Sequence, residues 1–193
     1  MRRVIYLARH GETDWNRAGR WQGWTDVPLN ETGEGQAFAL AEQLRERRIE
    51  RIVASNLARA HRTAEIVARA LAVPLVDVDP DLRERGFGLF KGLTREECEC
   101  RYPDEWKSYR ADAILPPGAE SHEIVMDRMH RAVRRAAEGE TTERGPVLVV
   151  THGSALRAFV LTATGSMPGP LSNCALYRAT ALADAFVDVE RIA

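Results

Sequence analysis

At 193 residues, with 28% charged and 45% hydrophobic side chains, the chain has the composition of an ordinary soluble domain. That length buries a core without disulfides or metals, a formal net charge of −1 gives no nucleic-acid signal, and no stretch reaches membrane-spanning length. Three cysteines (Cys98, Cys100 and Cys174) with no secretory segment point to reduced thiols and a cytoplasmic chain, because the Met1–Ala8 run is too short for a signal peptide.

Val4–Ala8 is a short apolar run that predicts a buried strand, and it leads directly into Arg9-His10-Gly11-Glu12-Thr13. A histidine between arginine and glycine at a strand end is a candidate nucleophile. The guanidinium holds an anion through paired hydrogen bonds, and the glycine lets backbone and substrate approach. An aromatic, polar loop follows with Trp15, Asn16, Trp21, Gln22, Gly23 and Trp24. Its tryptophans suit either a hydrophobic corner or a pocket wall, and Asn16 offers an amide donor toward an anion on Arg9.

Gly33–Arg48 predicts a helix with Ala37, Leu40, Ala41 and Leu44 on one face. Arg51–Ser55 reads as a second strand, about Ala58–Ala72 as a second helix, and Pro74–Val78 as a weaker third strand. From 79 to 118 the pattern loosens around Gly86, Gly88, Gly92 and several prolines, which suits a lid or substrate wall. Within it, Thr94-Arg95-Glu96-Glu97 has capping-box spacing and predicts a short helix. A helix over Ser121–Glu138, a strand over Pro146–Val150, a helix through Leu156, Phe159, Val160 and Ala163, and strands near Cys174–Arg178 and Ala185–Val189 complete the chain.

Alternating strands and helices predict one α/β domain over 1–193: a three-layer α/β/α sandwich around a mostly parallel sheet. Ligands bind beyond the carboxyl ends of such strands. That edge receives Arg9 and His10 from the first strand, Ser55 and then Arg59 from the second, and His152 from Val147–Val150. Each alone has a bland reading as a turn or solvated residue; together they make a candidate anion site.

The ordered motifs resemble those of the histidine phosphatase superfamily, whose best-known branch is the phosphoglycerate mutases. They are Arg9-His10-Gly11-Glu12-Thr13 with Trp15-Asn16, Gly23–Leu29, Ser55–Ala60, Leu82-Arg83-Glu84, Gly118–Ser121 and Thr151-His152-Gly153. The resemblance implies that His10 attacks phosphorus and carries a phosphohistidine. Arg9, Arg59 and a protonated His152 would surround the nonbridging oxygens, with Asn16 as a neutral donor. Glu84 would protonate the leaving alkoxide and then activate water; a carboxyl beside a phosphate dianion has its acid form favoured by like charge. No cofactor is expected.

Metal catalysis finds little support, since His10, His61, His122, His130 and His152 are scattered and Cys98-Glu99-Cys100 lacks a second pair. Phosphatase and mutase share the first step and differ in acceptor. Glu84 is followed by Arg85-Gly86-Phe87-Gly88 rather than the mutase Arg-His-Tyr-Gly, and the chain is short, so the small phosphatase branch is expected. The Gly23–Leu29 loop leans toward the mutases, and a catalytically silent phosphate-binding domain is the third reading. The expected partner is a small phosphomonoester, with no nucleic acid and no membrane, and the oligomeric state is open. Trp21, Gln22 and Gly23 would contact substrate, and Lys91, Arg85 and Arg110 are candidates for a second anionic group.

Overall fold

The computed structural model describes residues 2–111, 114–138 and 145–193. Its frame is a six-stranded sheet in the order β3-β2-β4-β1-β5-β6, where β1 is Arg3–Arg9, β2 Arg51–Ala54, β3 Leu75–Val78, β4 Val147–Thr151, β5 Leu176–Ala181 and β6 Phe186–Arg191. Strands β1 to β4 run parallel, and β5 and β6 add an antiparallel margin beside β1. The sheet is mostly parallel, as expected.

Side-chain alternation separates two cores. Ile5 and Leu7 of β1, Val53 of β2, and Val147 and Val149 of β4 face α6 (His122–Glu138) and α7 (Gly153–Thr164), where Met129, Val133, Leu156 and Phe159 cover them. Tyr6, Ala8, Ile52, Ala54, Leu148 and Val150 face the other way, onto Leu40 and Leu44 of α2 (Glu31–Leu44) and Ala60, Ala64 and Val67 of α3 (Ala58–Leu71). Strands buried on both faces need continuous apolar runs, which is why Val147–Val150 reads so clearly. Each fully buried Val, Leu or Ile contributes about 1.5–3 kcal/mol.

Helix α2 starts two residues before its expected start, because the Asn30 side chain accepts from Gly33 N at 2.9 Å and caps it. The same N-terminus packs tightly on the loop after β1: a Cβ at Gly11 would overlap the Gly33 carbonyl, and one at Gly33 the Glu12 carbonyl. This close approach fixes the turn that leaves the histidine behind.

The 79–118 segment carries more helix than expected. The Thr94 capping box forms, with Glu97 N donating to Thr94 Oγ1 at 3.2 Å, and opens α4 (Arg95–Arg101). Two helices lie beyond the expectation, α5 (Pro103–Arg110) and the one-turn α1 (Asp14–Arg17). Helix α5 packs through Trp106 and Tyr109 against Phe90, making an aromatic cluster with Phe87 and Trp21 that stands as a wall at one end of the sheet. Among the described residues no helix is long and apolar enough to cross a membrane.

Candidate active site

The parallel strands end along one edge, and β1 delivers Arg9 and His10 there. The His10 backbone is pinned from two sides. Its N–H donates to Thr151 O at 2.9 Å, and its carbonyl accepts from Cys174 N at 3.3 Å and Asn173 Nδ2 at 3.1 Å. The ring is 2% exposed, and its Nδ1 lies 2.6 Å from Gly11 O. A carbonyl can only accept, so Nδ1 carries the proton and Nε2 keeps its lone pair. Burial first, then the charges of Arg59 and Arg9, hold His10 well below the usual histidine range against the opposing Gly11 bond. The ring is neutral at neutral pH, with the Nε2 lone pair that a nucleophile needs.

Two buried guanidiniums flank it. Arg9 Nη1 donates to Leu171 O, while its Nε is buried with no partner among the described residues. Arg59, fully buried on the first turn of α3, donates to Thr25 O and Gly23 O, each at 2.8 Å. Those acceptors are neutral carbonyls. Burial pulls Arg59 down to about 10 and lowers Arg9, and the Glu84 charge opposes the shift in both. Two desolvated cations held by neutral groups form a site for an anion.

Glu84 is held at the N-terminus of α7. Its Oε1 accepts from Arg85 N at 2.8 Å, Ser154 N at 3.1 Å and Ala155 N at 3.2 Å. The backbone behind it is gripped by Arg128, which donates to the carbonyls of Asp81, Arg83 and Glu84 and to both oxygens of Glu120. Trp24 Nε1 adds a 2.8 Å bond to Glu84 O.

These groups border a cavity of about 590 Å³. Arg9, His10, Arg59, Glu84, Asn16, Trp21 and Gln22 line it. Asn16 Oδ1 accepts from Thr13 N at 3.2 Å and Asn173 Nδ2 at 3.2 Å, which turns its amide nitrogen to the cavity as a donor. Gln22 brings a buried Oε1 with no partner among the described residues.

Two assignments change. The expected protonated His152 is neutral: Arg59 Nε donates to its Nδ1 at 3.2 Å, so the proton sits on Nε2, which donates to Ser55 Oγ at 2.9 Å. Burial and the neighbouring Arg59 charge hold it well below the ordinary range. Its ring lies 5.1 Å from that of His10, behind the cavity lining, where it orients Arg59. Gly23, expected to touch substrate, also stands behind the wall. Its φ of +51° aims its carbonyl at Arg59.

The candidates for a second anion change as well. Lys91 is exposed and Arg110 sits over the Trp106 ring at 6.0 Å, both outside the cavity lining. Arg85 is buried, donates to Glu120 O at 2.8 Å, and borders a side recess instead. The main cavity is lined by Arg17, Arg20, Arg95 and Arg157. Sequence reading missed these, along with Asn173 and Arg128. Arg157 had a signal, since it stands one helical turn beyond Ser154 on α7, the helix that leaves the strand end bearing His152.

Residues 5–186 match the histidine phosphatase superfamily (branch 1). A metal-independent phosphoserine phosphatase from Arabidopsis thaliana is 40% identical over 177 residues, 89% of this chain and 74% of that one. A probable phosphoglycerate mutase GpmB from Serratia proteamaculans is 35% identical over 189 residues, 90% of this chain and 83% of the relative. Among solved structures, a mycobacterial glucosyl-3-phosphoglycerate phosphatase in complex with VO3 superposes with a TM-score of 0.84 at 28% identity, covering 98% of both chains.

Proposed function

The chain belongs to the histidine phosphatase superfamily, and on that premise we propose that it is a phosphomonoesterase working through a phosphohistidine on His10, without a metal ion. The observation that carries this reading is the single free nitrogen of His10. With Nδ1 committed to Gly11 O at 2.6 Å, the lone pair on Nε2 borders a cavity flanked by two buried guanidiniums.

In the first step Nε2 attacks phosphorus and the ester P–O bond breaks on the opposite side. Glu84 gives its proton to the departing alkoxide, leaving alcohol and a phosphoryl group on His10. Arg9 and Arg59 hold the nonbridging oxygens, where charge resides in the transition state, and Asn16 Nδ2 adds a neutral donor. Their preorganisation is what a dry, low-dielectric site rewards, because no water has to reorient as charge shifts. His152 acts through Arg59 rather than on phosphorus. In the second step Glu84, now a carboxylate, takes a proton from water. The hydroxide attacks phosphorus, the N–P bond breaks, and phosphate and free His10 remain.

A mutase reading is favoured by the likeness to GpmB, the probable phosphoglycerate mutase. Against it stands Arg85-Gly86-Phe87-Gly88 after Glu84, in place of the Arg-His-Tyr-Gly of the mutases. One rapid-quench experiment in chelator separates them. Labelled phosphomonoester should leave an acid-labile, base-stable phosphoryl group on His10, absent in His10→Ala. With 3-phosphoglycerate and a bisphosphoglycerate primer, the label should pass to water faster than to 2-phosphoglycerate. Label on a serine or aspartate refutes the nucleophile, faster isomerisation makes the chain a mutase, and activity restored only by added metal ends the metal-free mechanism.

A further inference from the structure

The cavity over His10 shares Trp21, Phe87 and Ser154 with an adjoining recess of about 100 Å³, walled also by Arg85, Tyr109, His122 and Met167. Arg157 borders both spaces. It follows Ser154 by three residues on α7, so the two side chains share a helix face, about 5–6 Å apart at Cβ. Ser154 N–H holds the Glu84 carboxylate at 3.1 Å. Glu84 faces the leaving oxygen in the reading above, so a leaving group that extends from Glu84 along α7 meets Arg157.

The other arginines of the cavity are engaged or peripheral. Arg9 and Arg59 flank the reacting phosphoryl group. Arg17 pairs with Glu12 at 2.8 Å and Arg20 with Glu97 at 2.6 Å, while Arg95 is on the exposed rim. Arg157 is half-buried, and its one hydrogen bond among the described residues runs from Nε to Pro168 O at 3.0 Å. That bond fixes the guanidinium plane and leaves both terminal nitrogens to a ligand. Two parallel N–H groups on a fixed plane match a carboxylate, which they grip bidentately. The recess sets Phe87, Tyr109 and Met167 beside Arg85 and His122, which bond to each other, so it suits a small leaving group with one negative charge at its end.

We propose that Arg157 is the specificity-determining residue of this site: it binds a carboxylate on the leaving alcohol, so the preferred substrates are small phosphomonoesters with a carboxylate close to the ester oxygen. The inference rests on the phosphomonoesterase reading. A carboxylate two carbons along from that oxygen spans a distance comparable to one turn of the α7 face.

The test uses a matched pair, 3-phosphoglycerate and glycerol 3-phosphate, in which a carboxylate replaces a hydroxymethyl group. Phosphate release is the readout and nitrophenyl phosphate the control. Wild-type protein should favour the carboxylated ester in kcat/KM by roughly 10- to 100-fold, the range of a charge-assisted hydrogen bond. Arg157→Ala should bring the ratio near one, chiefly through KM for 3-phosphoglycerate. Arg157→Lys should keep part of the preference, since its charge remains but the fork is lost. A wild-type ratio near one alongside turnover of nitrophenyl phosphate overturns the inference and leaves the phosphatase reading standing. A preference undiminished in either variant overturns it too. No phosphate from any of the three esters ends both. The wild-type ratio and the lysine variant decide the matter even where the alanine variant fails to fold.

Discussion

Two neutral histidines buried at the centre of the site make the stability of the free protein fall on mild acidification. His10 and His152 are held well below their ordinary value of 6.5, mainly by burial and then by the Arg59 charge. In the unfolded chain both rings take up protons near pH 6.5. The folded-state values are depressed, so the unfolded state binds more protons as pH drops. Stability is therefore full above pH 6.5 and declines below it, toward the folded-state values. In the limit where both rings stay neutral in the folded chain, lowering pH from about 7.0 to 5.5 costs roughly 1.2 kcal/mol per ring, about 2.5 kcal/mol together. That is a large share of the ~5–15 kcal/mol that holds a typical domain. His130, lowered too by burial, adds a smaller share in the same direction. Urea unfolding followed by fluorescence of the four tryptophans, at constant ionic strength, measures this directly. His152→Gln removes one titrating ring and should roughly halve the dependence, as should His10→Gln. A stability that stays flat from pH 7.0 to 5.5, or variants that keep the full dependence, would refute the neutral pair.

Glu84→Gln keeps an oxygen to accept from Ser154 and Ala155 N–H but has no proton to give, so turnover of alkyl phosphates should fall roughly 10²–10⁴-fold. Nitrophenolate leaves without a proton, so the variant should still show a rapid burst on nitrophenyl phosphate followed by slow turnover. Equal loss of the burst on both esters would make Glu84 a positioning group. Asn173→Ala removes the bonds to His10 O and Asn16 Oδ1, and should lower kcat/KM roughly 10-fold at a stability loss of about 1–3 kcal/mol. Wild-type turnover in that variant would show that Thr13 alone orients Asn16.

That the His10 loop, Arg59 and Glu84 meet at one cavity was legible because each follows directly from a strand end or sits within a local motif. Asn173 was not, although it touches His10 from 163 positions away. Its position follows from β5 pairing antiparallel with β1, which returns the residues before β5 to the carboxyl end of β1. Alternating periodicity reveals strands but not which neighbour an antiparallel strand takes. Helix α5 was hidden for a local reason: its inward face is carried by Trp106 and Tyr109 within a short polar stretch, a stripe too brief for a 3.6-residue pattern to stand out. Glu12 and Glu120 are two further carboxylates within the motifs, each paired to an arginine away from His10. The structure ties Glu120 to Arg128 at 2.9 Å and Glu12 to Arg17 at 2.8 Å.

The charge state of His152 was misread because sequence counts cations one at a time. In a dry site each charge is set by its neighbours. Arg59 is desolvated with Arg9 nearby, and a third positive charge on His152 would find only Ser55 Oγ and the Arg59 guanidinium in contact with its ring nitrogens. The imidazole resolves this by staying neutral and accepting from Arg59, which spends one N–H on orientation. The remaining positive charge lies on two guanidiniums whose contacts are backbone carbonyls and that imidazole. Burying them unpaired works against folding, and a phosphoryl dianion between them relieves it. The acid sensitivity expected of the free protein and the dianion binding proposed for it thus have one origin, the desolvation of charge at the end of β1.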